Sequence, residues 1–287
     1  MRSPACPVCK SLTVVCRSQP DLHKCIGCSL IFQYPPPSKS ELKKLYSDTD
    51  YFSFWGNKRS WSLIDVIKEK TATLLINELI GLNIHTGKLL DVGCARGALL
   101  TVAKNKGFTI FGIEPSKESA TYAEQKSGGI IYNKLFENIV FEKVLFDVVV
   151  FFDSFEHFTN INSVMQKCND ITVKNGYIII STPNTDSLSF RLLGKSWPHF
   201  KQQHIYYFNK KSIRLLLENN GFKIKLMKPS IKVFSLNYIK SYFEVFNTSL
   251  FAKFVSSVLS FFPEKLLSLS VTINNGNILV IAQKIAS

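Results

Sequence analysis

Residues 88–97, with the sequence KLLDVGCARG, decide the fold of this 287-residue chain. The apolar run before Gly93 predicts a short buried strand, and a helical pattern begins after Gly97. Glycines let such a turn bend sharply and approach a ligand closely, and the N-terminus of the following helix offers free N–H groups. A turn between a strand and a helix is the context that a nucleotide-binding fingerprint requires. An ordinary strand–helix turn is the alternative.

Four further apolar segments follow the first predicted strand along the chain. Helical patterns separate them, which predicts parallel strands that are buried on both faces. Right-handed crossovers then make the fold α/β and doubly wound. One long helix is predicted over residues 62–82, before the first strand. The further strands are predicted over residues 109–113, 130–132, 146–152 and 176–181.

Glu114 follows the second predicted strand directly. A carboxylate at this position can accept hydrogen bonds from both hydroxyls of a ribose. Together with the glycine turn, it predicts a nucleoside-containing cofactor at the carboxyl ends of the strands. A dinucleotide is less favoured, because the turn lacks the spacing G-x-G-x-x-G.

Residues 91–97, DVGCARG, resemble the first motif, D-x-G-x-G-x-G, of the class I S-adenosylmethionine-dependent methyltransferases. Ala95 stands where the middle glycine usually lies, which strains close approach of the cofactor without excluding it. The resemblance implies a Rossmann-like, mostly parallel sheet of seven strands and S-adenosylmethionine (SAM) as cofactor. It places Glu114 on the adenosyl ribose, and Asp153, which ends the fourth strand, is expected near the methionine ammonium. The predicted cofactor-binding residues are Asp91, Gly93, Ala95, Gly97, Glu114, Pro115 and Asp153.

Three later segments resemble one large subgroup of the same family. Residues 146–157, FDVVVFFDSFEH, resemble its fourth strand and "EH" ending, and residues 174–184, KNGYIIISTPN, resemble its fifth strand. Residues 203–208, QHIYYF, resemble a segment that covers the substrate in this family. The resemblance extends to a last strand over residues 277–282. These motifs are specific for the fold and the cofactor, and they are not specific for the substrate.

Two C-x2-C pairs near the start of the chain are separated by a fifteen-residue spacer. Two such turns can bring four thiolates to one tetrahedral zinc ion, and the spacing is that of a zinc ribbon. Since four thiolates leave no open position, the zinc would be structural. A disulfide or redox pair and a chance occurrence are the alternatives. Members of the family often carry such a ribbon, and the predicted ligands are Cys6, Cys9, Cys25 and Cys28.

Three units are predicted along the chain. A zinc-ribbon module covers residues 1–37, and the proline run 35–37 marks its end. A helical linker or lid covers residues 38–84. The SAM-binding methyltransferase domain covers residues 85–287.

Two apolar segments outside the predicted sheet have open roles. Aromatic residues between positions 46 and 61 either pack the linker onto the next domain or form a lid. Apolar residues at helical spacing between positions 238 and 262 predict a helical cap around 236–265. This cap would lie over the substrate pocket or form a dimer face. Peripheral contact with a membrane surface is less favoured, because the polar face carries few lysines.

The formal net charge is +14, from 35 lysine and arginine residues and 21 aspartate and glutamate residues. Such a charge suits nucleic acid, an anionic membrane surface or a phosphorylated substrate. The lysines are scattered and no five-residue basic run occurs, so a solvated basic surface is favoured. The first residues contain no apolar segment typical of a secretion signal. We therefore expect a reducing, cytoplasmic location, with Cys16, Cys94 and Cys168 as free thiols.

Two of the five histidines are candidate general bases. His157 follows the fourth strand, where a doubly wound sheet exposes side chains to the ligand crevice. His204 lies in the segment that covers the substrate in the resembled family. We expect the two to meet across the crevice, one of them taking a proton from the methyl acceptor. Structural roles are the alternative: His157 would cap a helix, and His204 would bond to its own loop. His23, inside the ribbon spacer, is expected at the surface.

The leading interpretation is a SAM-dependent methyltransferase that acts on a small molecule, with a sugar or polysaccharide precursor as a candidate for O- or C-methylation. An rRNA or tRNA methyltransferase is the first alternative, which the ribbon and the positive charge favour. Against it, residues 153–156, DSFE, differ from the N/D-P-P-Y/F ending of enzymes that methylate base amino groups. A non-catalytic protein that keeps the fold and uses the ribbon for docking is the second alternative.

Overall fold

The computed structural model describes residues 3–16, 19–38, 41, 58–245, 257–267 and 269–285. These residues form two sheets. The strands are β1 (Thr13–Cys16), β2 (Gln19–Cys25), β3 (Ile31–Gln33), β4 (Gly87–Val92), β5 (Phe108–Ile113), β6 (Ile130–Tyr132), β7 (Phe146–Phe152), β8 (Thr172–Pro183), β9 (Tyr206–Tyr207), β10 (Phe222–Ser235) and β11 (Ser270–Lys284). The helices are α1 (Lys58–Gly81), α2 (Ala98–Asn105), α3 (Lys117–Ser127), α4 (Ile161–Ile171), α5 (Leu188–Leu193), α6 (Lys210–Asn219), α7 (Leu236–Val245) and α8 (Glu264–Leu267).

The large sheet has seven strands in the order β10-β11-β8-β7-β4-β5-β6. Strands β4 to β8 are parallel to one another, and β11 runs antiparallel to both β8 and β10. The predicted doubly wound, mostly parallel sheet of seven strands is therefore confirmed. The predicted long helix is also confirmed, since α1 covers most of residues 62–82.

Helices cover both faces of this sheet. Alternate residues of β7 enter different core clusters: Val149 packs with residues of α4 and α6, whereas Val148 packs with residues of α1 and α2. Successive side chains of β7 point to opposite faces of the sheet. Because both faces are buried, residues on both sides of the strand are apolar, and the sequence shows an apolar run instead of alternation. That is why the sequence identified this strand without a polar/apolar alternation.

Strand β10 was missed by the sequence analysis. Its sequence, FKIKLMKPSIKVFS, alternates lysines with apolar residues and contains Pro229. The strand lies at the edge of the sheet, where one face meets solvent and a proline is tolerated. Its antiparallel pairing with β11 extends that last strand from the predicted residues 277–282 to Ser270–Lys284.

The small sheet joins the ribbon to the rest of the chain. Strands β1, β2 and β3 come from the ribbon, and β9 comes from the segment after β8. Ile31 pairs with Tyr207 and Phe32 pairs with Tyr206 in antiparallel register. Lys211 adds a side-chain hydrogen bond of 2.7 Å to the carbonyl of Gly27. The ribbon is therefore paired through its backbone with the segment predicted to cover the substrate.

The remaining expectations have mixed outcomes. His23 is buried on β2 between the rings of Phe32 and Tyr34, so its expected surface position is wrong. The aromatic side chains between positions 46 and 61 lie outside the described residues, as does much of the predicted cap. Of that cap, α7 is described, and 246–256 is not. Within the described residues, no helix combines the length and apolar character needed to cross a bilayer.

Candidate active site at the carboxyl edge of the large sheet

The glycine turn after β4 adopts left-handed backbone at three positions. The φ angles are 83° at Gly93, 46° at Ala95 and 76° at Gly97. A Cβ atom on Gly93 would lie 2.8 Å from the Cβ of Ser154, so a side chain is excluded there. Ala95 occupies the backbone region that favours glycine, where an L-residue carries strain. The alanine thus keeps the turn geometry that a glycine would adopt at this position.

Glu114 joins the turn to the end of β5. Its carboxylate accepts hydrogen bonds from the backbone N–H of Ala95 at 3.0 Å and of Ser116 at 2.8 Å. Burial raises the pKa of Glu114, and the two N–H donors oppose that rise. The predicted ribose-binding residue therefore lies against the glycine turn, which brings the two parts of the predicted cofactor site together.

Asp91 is a buried carboxyl group at the end of β4, with 3% of its surface exposed. Its Oδ1 atom has no hydrogen-bond partner within the described part of the chain. Burial, with a smaller contribution from the charge of Glu114, raises the pKa of Asp91 to about 8. A buried acceptor without a partner costs free energy unless a ligand supplies a donor. The site therefore fits a ligand that carries a cationic group, as SAM does.

Helix α1 is held to the same turn by a cluster of charged and aromatic side chains. The Arg96 guanidinium binds both carboxylate oxygens of Asp65 at 3.2 Å and lies 3.5 Å from the centre of the Tyr122 ring. Tyr122 in turn donates its hydroxyl to Asp65 at 2.9 Å. A bidentate pair of this kind fixes orientation as well as distance. The N-terminal part of α1 therefore lies beside the predicted cofactor site.

Asp153 ends β7 and has several partners in the structure. Its carboxylate pairs with the ammonium of Lys232 and accepts from Asn277 at 2.8 Å and from Ser181 at 3.2 Å. Burial alone would raise its pKa, but Lys232 and Lys68 outweigh burial and hold the pKa at about 2. Asp153 is therefore ionised, and its carboxylate contacts side chains on strands β8, β10 and β11.

His157 and His204 meet, as the sequence analysis predicted. Their ring centres are 4.9 Å apart, with the rings at 80°. The Nδ1 atom of His157 lies 2.8 Å from the carbonyl oxygen of Gln203. Because a carbonyl oxygen only accepts, this nitrogen carries the proton, and the lone pair of the neutral ring lies on Nε2. His157 is half-buried, whereas 6% of His204 is exposed.

Burial keeps this part of the site uncharged. It lowers the pKa of His157 to about 4 and that of His204 well below its ordinary value. Glu156 lies 4.0 Å from Nε2 of His204 and accepts from Thr182 at 3.0 Å. Burial, together with the negative charge of Asp153, raises the pKa of Glu156 to about 8. At pH 7 the Glu156–His204 contact therefore joins two neutral groups and is not an ion pair.

The four predicted zinc ligands converge in the ribbon. Their sulfur atoms lie within 4.8 Å of one another. The Sγ atoms of Cys6 and Cys28 are 3.6 Å apart, and those of Cys9 and Cys25 are 3.3 Å apart. Zn–S bonds of about 2.3 Å in a tetrahedron separate sulfurs by about 3.8 Å. The arrangement fits a Zn(Cys)4 site, and these separations are well beyond the roughly 2.05 Å of a disulfide bond.

Comparison with known proteins identifies the family. A family model described as a methyltransferase domain matches residues 67–226, more than half of the chain. The chain belongs to the methyltransferase-domain family. This family assignment agrees with the resemblance carried by the glycine turn and by the segments after β7 and β8.

Two curated relatives share part of this domain. The ubiquinone biosynthesis O-methyltransferase of Rhodopseudomonas palustris (strain TIE-1) is 25% identical over 109 residues, which cover 37% of this chain and 43% of that protein. The protein of the same name from Pelagibacter ubique (strain HTCC1062) is 26% identical over 177 residues, covering 54% of this chain and 74% of that protein. The chain thus spans less than half the length of the first relative.

Solved methyltransferase structures share the fold. The magnesium protoporphyrin IX methyltransferase of Synechocystis PCC 6803, solved with bound S-adenosylhomocysteine (SAH), matches with a TM-score of 0.56 and 15% identity. The match covers 86% of this chain and 100% of that chain. At this identity the comparison shows the fold alone: the present chain has the class I methyltransferase fold.

Sequence reasoning missed two groups in the site. Glu156 was quoted only as part of the "EH" ending, although it is buried against His204. Lys232 was not identified at all, because its strand was not predicted. The alternation of Lys223 and Lys225 with apolar residues was the available signal for this strand, since period-two alternation is typical of a half-buried strand.

Proposed function

We propose that this protein is a SAM-dependent methyltransferase that methylates an oxygen or a carbon atom of a small molecule. A sugar or polysaccharide precursor is the candidate class. One observation carries the proposal. The Oδ1 atom of Asp91, which has no hydrogen-bond partner within the described residues, and the glycine turn lie at the same edge of the sheet as the paired rings of His157 and His204. In a doubly wound sheet, ligands bind at this carboxyl edge.

The cofactor would be held by the turn and by two carboxyl groups. We assign the methionine ammonium to Asp91, because the carboxylate of Asp153 already has three partners. Glu114 would accept the ribose hydroxyls, and the N–H groups that it now binds would help to orient it. When bound, SAM supplies a methyl group on a positively charged sulfur.

The acceptor would lie between that methyl group and the histidine pair. His157 would take the proton that the acceptor loses, at the Nε2 atom that carries the lone pair. The carbonyl of Gln203 would stabilise the protonated ring through Nδ1. His204 and Glu156, which are both buried, would position His157 and keep water away. The products are the methylated acceptor, SAH and a proton that His157 returns to solvent.

The ribbon has a structural role in this proposal. A zinc ion held by its four cysteines would fix strands β2 and β3, and β3 pairs with β9 beside His204. The relatives named ubiquinone biosynthesis O-methyltransferase support methylation of a small-molecule oxygen in general terms.

Two measurements on the purified full chain test the proposal. Calorimetry should detect binding of SAM and of SAH at micromolar concentrations. Incubation with methyl-labelled SAM and a small-molecule extract should then transfer label to an acceptor that chromatography can isolate. Absence of SAM and SAH binding by folded protein would overturn the proposal. Label found only in RNA or protein would overturn the small-molecule assignment.

A further inference from the structure

The second half of the glycine turn is a tight four-residue turn over residues 94–97. The backbone N–H of Gly97 donates to the carbonyl of Cys94 at 2.9 Å, which places Ala95 and Arg96 at the two central positions. Ala95 has a φ of 46°. A turn with positive φ at its first central position favours glycine, because left-handed backbone is sterically costly for an L-residue. Contacts from elsewhere in the protein are therefore needed to stabilise this turn.

Glu114 provides one such contact, at the backbone. Its carboxylate accepts a hydrogen bond from the N–H of Ala95 at 3.0 Å. The same carboxylate is the proposed acceptor for the ribose hydroxyls, so a bound cofactor would share it with the turn. A second contact, to a different carboxylate, would hold the turn both with and without the cofactor.

Asp65 of α1 provides this second contact, through the side chain of Arg96. The guanidinium donates from Nε and from Nη2 to the two carboxylate oxygens, both at 3.2 Å. The guanidinium also lies 3.5 Å from the centre of the Tyr122 ring on α3. A bidentate pair that is stacked on an aromatic ring fixes both the position and the plane of the guanidinium. Because Arg96 directly follows Ala95, its fixed side chain restricts the backbone of the turn.

Asp65 has a fixed position of its own. Its side chain is 10% exposed, and it accepts from the hydroxyl of Tyr122 at 2.9 Å. Further along α1, Ile76 and Leu79 are fully buried in the core beside the large sheet. The packed helix therefore sets the point at which Arg96 is bound.

We propose that Asp65 is a positioning residue for the cofactor, which acts through Arg96 to hold Ala95 in the left-handed conformation of the binding turn. This inference rests on the proposed function and adds to the cofactor site a residue from outside the turn. Without Asp65, the alanine would leave the left-handed region in most molecules. The cofactor would then bind only the remaining fraction, and its apparent affinity would fall in proportion to that fraction.

Calorimetric titration of SAH into the full chain tests the proposal. Asp65→Asn removes the charge and one acceptor oxygen, and it should weaken SAH binding by about tenfold, the scale of the left-handed penalty at one alanine. Ala95→Gly adopts the left-handed region without this support, so it should bind SAH like the wild type. The double variant should bind SAH within about threefold of Ala95→Gly alone. Such a rescue distinguishes control of the turn from a general structural role, which a glycine at position 95 would not restore.

The matched control is Glu69→Gln. Glu69 lies one helical turn after Asp65 on α1, and both carboxylates pair with Lys126, at 2.8 Å and 3.5 Å respectively. Within the described residues, Glu69 forms no ion pair with Arg96. Glu69→Gln therefore removes the same charge from the same helix, and it should bind SAH like the wild type.

Three results would overturn the proposal and leave the methyltransferase function intact. The first is unchanged SAH affinity in a folded Asp65→Asn protein. The second is a loss of affinity that Ala95→Gly does not restore. The third is equal weakening by Glu69→Gln, which would show a general effect of charge on α1. Absence of SAH binding by the wild-type protein would instead overturn the proposed function together with this inference.

Discussion

The backbone N–H of Gln33, at the end of the last ribbon strand, donates a hydrogen bond of 2.8 Å to the carbonyl of Ile205. Ile205 directly follows His204, so one hydrogen bond and one peptide bond connect the ribbon with a residue of the proposed active site. The side chain of Asn209 adds a second connection, at 3.0 Å, to the carbonyl of Cys28. A predicted zinc ligand and the covering segment are thus held by one network.

The first prediction concerns zinc. Cys25→Ser should lower the zinc content from one ion per chain to nearly none, because three thiolates hold the metal weakly. The amide of Gln33 should then lose protection in hydrogen exchange, since without the metal β3 is no longer held rigidly beside β9. Cys16→Ser is the control, as Cys16 lies in the same module outside the cluster. Retention of full zinc by Cys25→Ser would refute the ligand assignment.

The second prediction is release of a proton when SAM binds. Free Asp91 has a pKa of about 8 and is mostly protonated at pH 7. A cationic ligand group lowers that pKa, so binding at pH 7 should release up to one proton, and affinity should rise with pH up to about 8. Calorimetry in buffers of different ionisation enthalpy measures the proton count. Asp91→Asn should bind SAM about tenfold more weakly. Proton release that persists in this variant would move the assignment to another group.

The third prediction concerns Glu114. Glu114→Ala should weaken SAH binding by roughly 1.5–3 kcal/mol, the range for hydrogen bonds to a charged group. The variant also removes the acceptor of the N–H groups of Ala95 and Ser116, which hold the glycine turn beside Glu114. Glu124→Ala, on the exposed side of α3, should bind SAH normally. Unchanged affinity in a folded Glu114→Ala protein would exclude this carboxylate from the cofactor site.

The fourth prediction uses the backbone at Ala95. With φ at 46°, glycine relieves strain there, whereas a β-branched side chain adds to it. Ala95→Gly should leave thermal stability unchanged or raise it slightly, and it should keep SAH affinity. Ala95→Val should lower stability by about 1–2 kcal/mol and weaken SAH binding. Equal melting temperatures for the two variants would show that the turn does not hold this conformation in solution.

The fifth prediction concerns the general base, once an acceptor has been isolated. His157→Ala should reduce turnover by roughly 10²–10⁴-fold without changing SAH affinity. Because burial lowers the pKa of His157 to about 4, turnover should stay constant near neutrality and fall only as pH drops through that value. His204→Ala should have a smaller effect through positioning. Near-wild-type turnover in both variants would remove the base and leave proximity as the source of rate.

The sequence predicted those elements whose pattern is local. Strands β4, β5, β7 and β8 each contain a short run of apolar residues, and Glu114 is recognisable from its place after β5. By contrast, β9 has two residues, and nothing within it indicates that it pairs with a strand more than 170 positions earlier. Lys232 could not be assigned to Asp153 for the same reason. Such pairs depend on where the fold brings distant segments.

The pairing of β3 with β9 also sets an order of events during synthesis. The ribbon is synthesised before the covering segment, so its β3 edge lacks its partner until residues 206 and 207 have been made. An unpaired strand edge can pair with other chains, so the nascent ribbon is exposed to this hazard until the covering segment has been made. When the covering segment is synthesised, the β3 edge with which it pairs has already been made. The crevice that holds His204 therefore cannot form before residues 206 and 207 have been made.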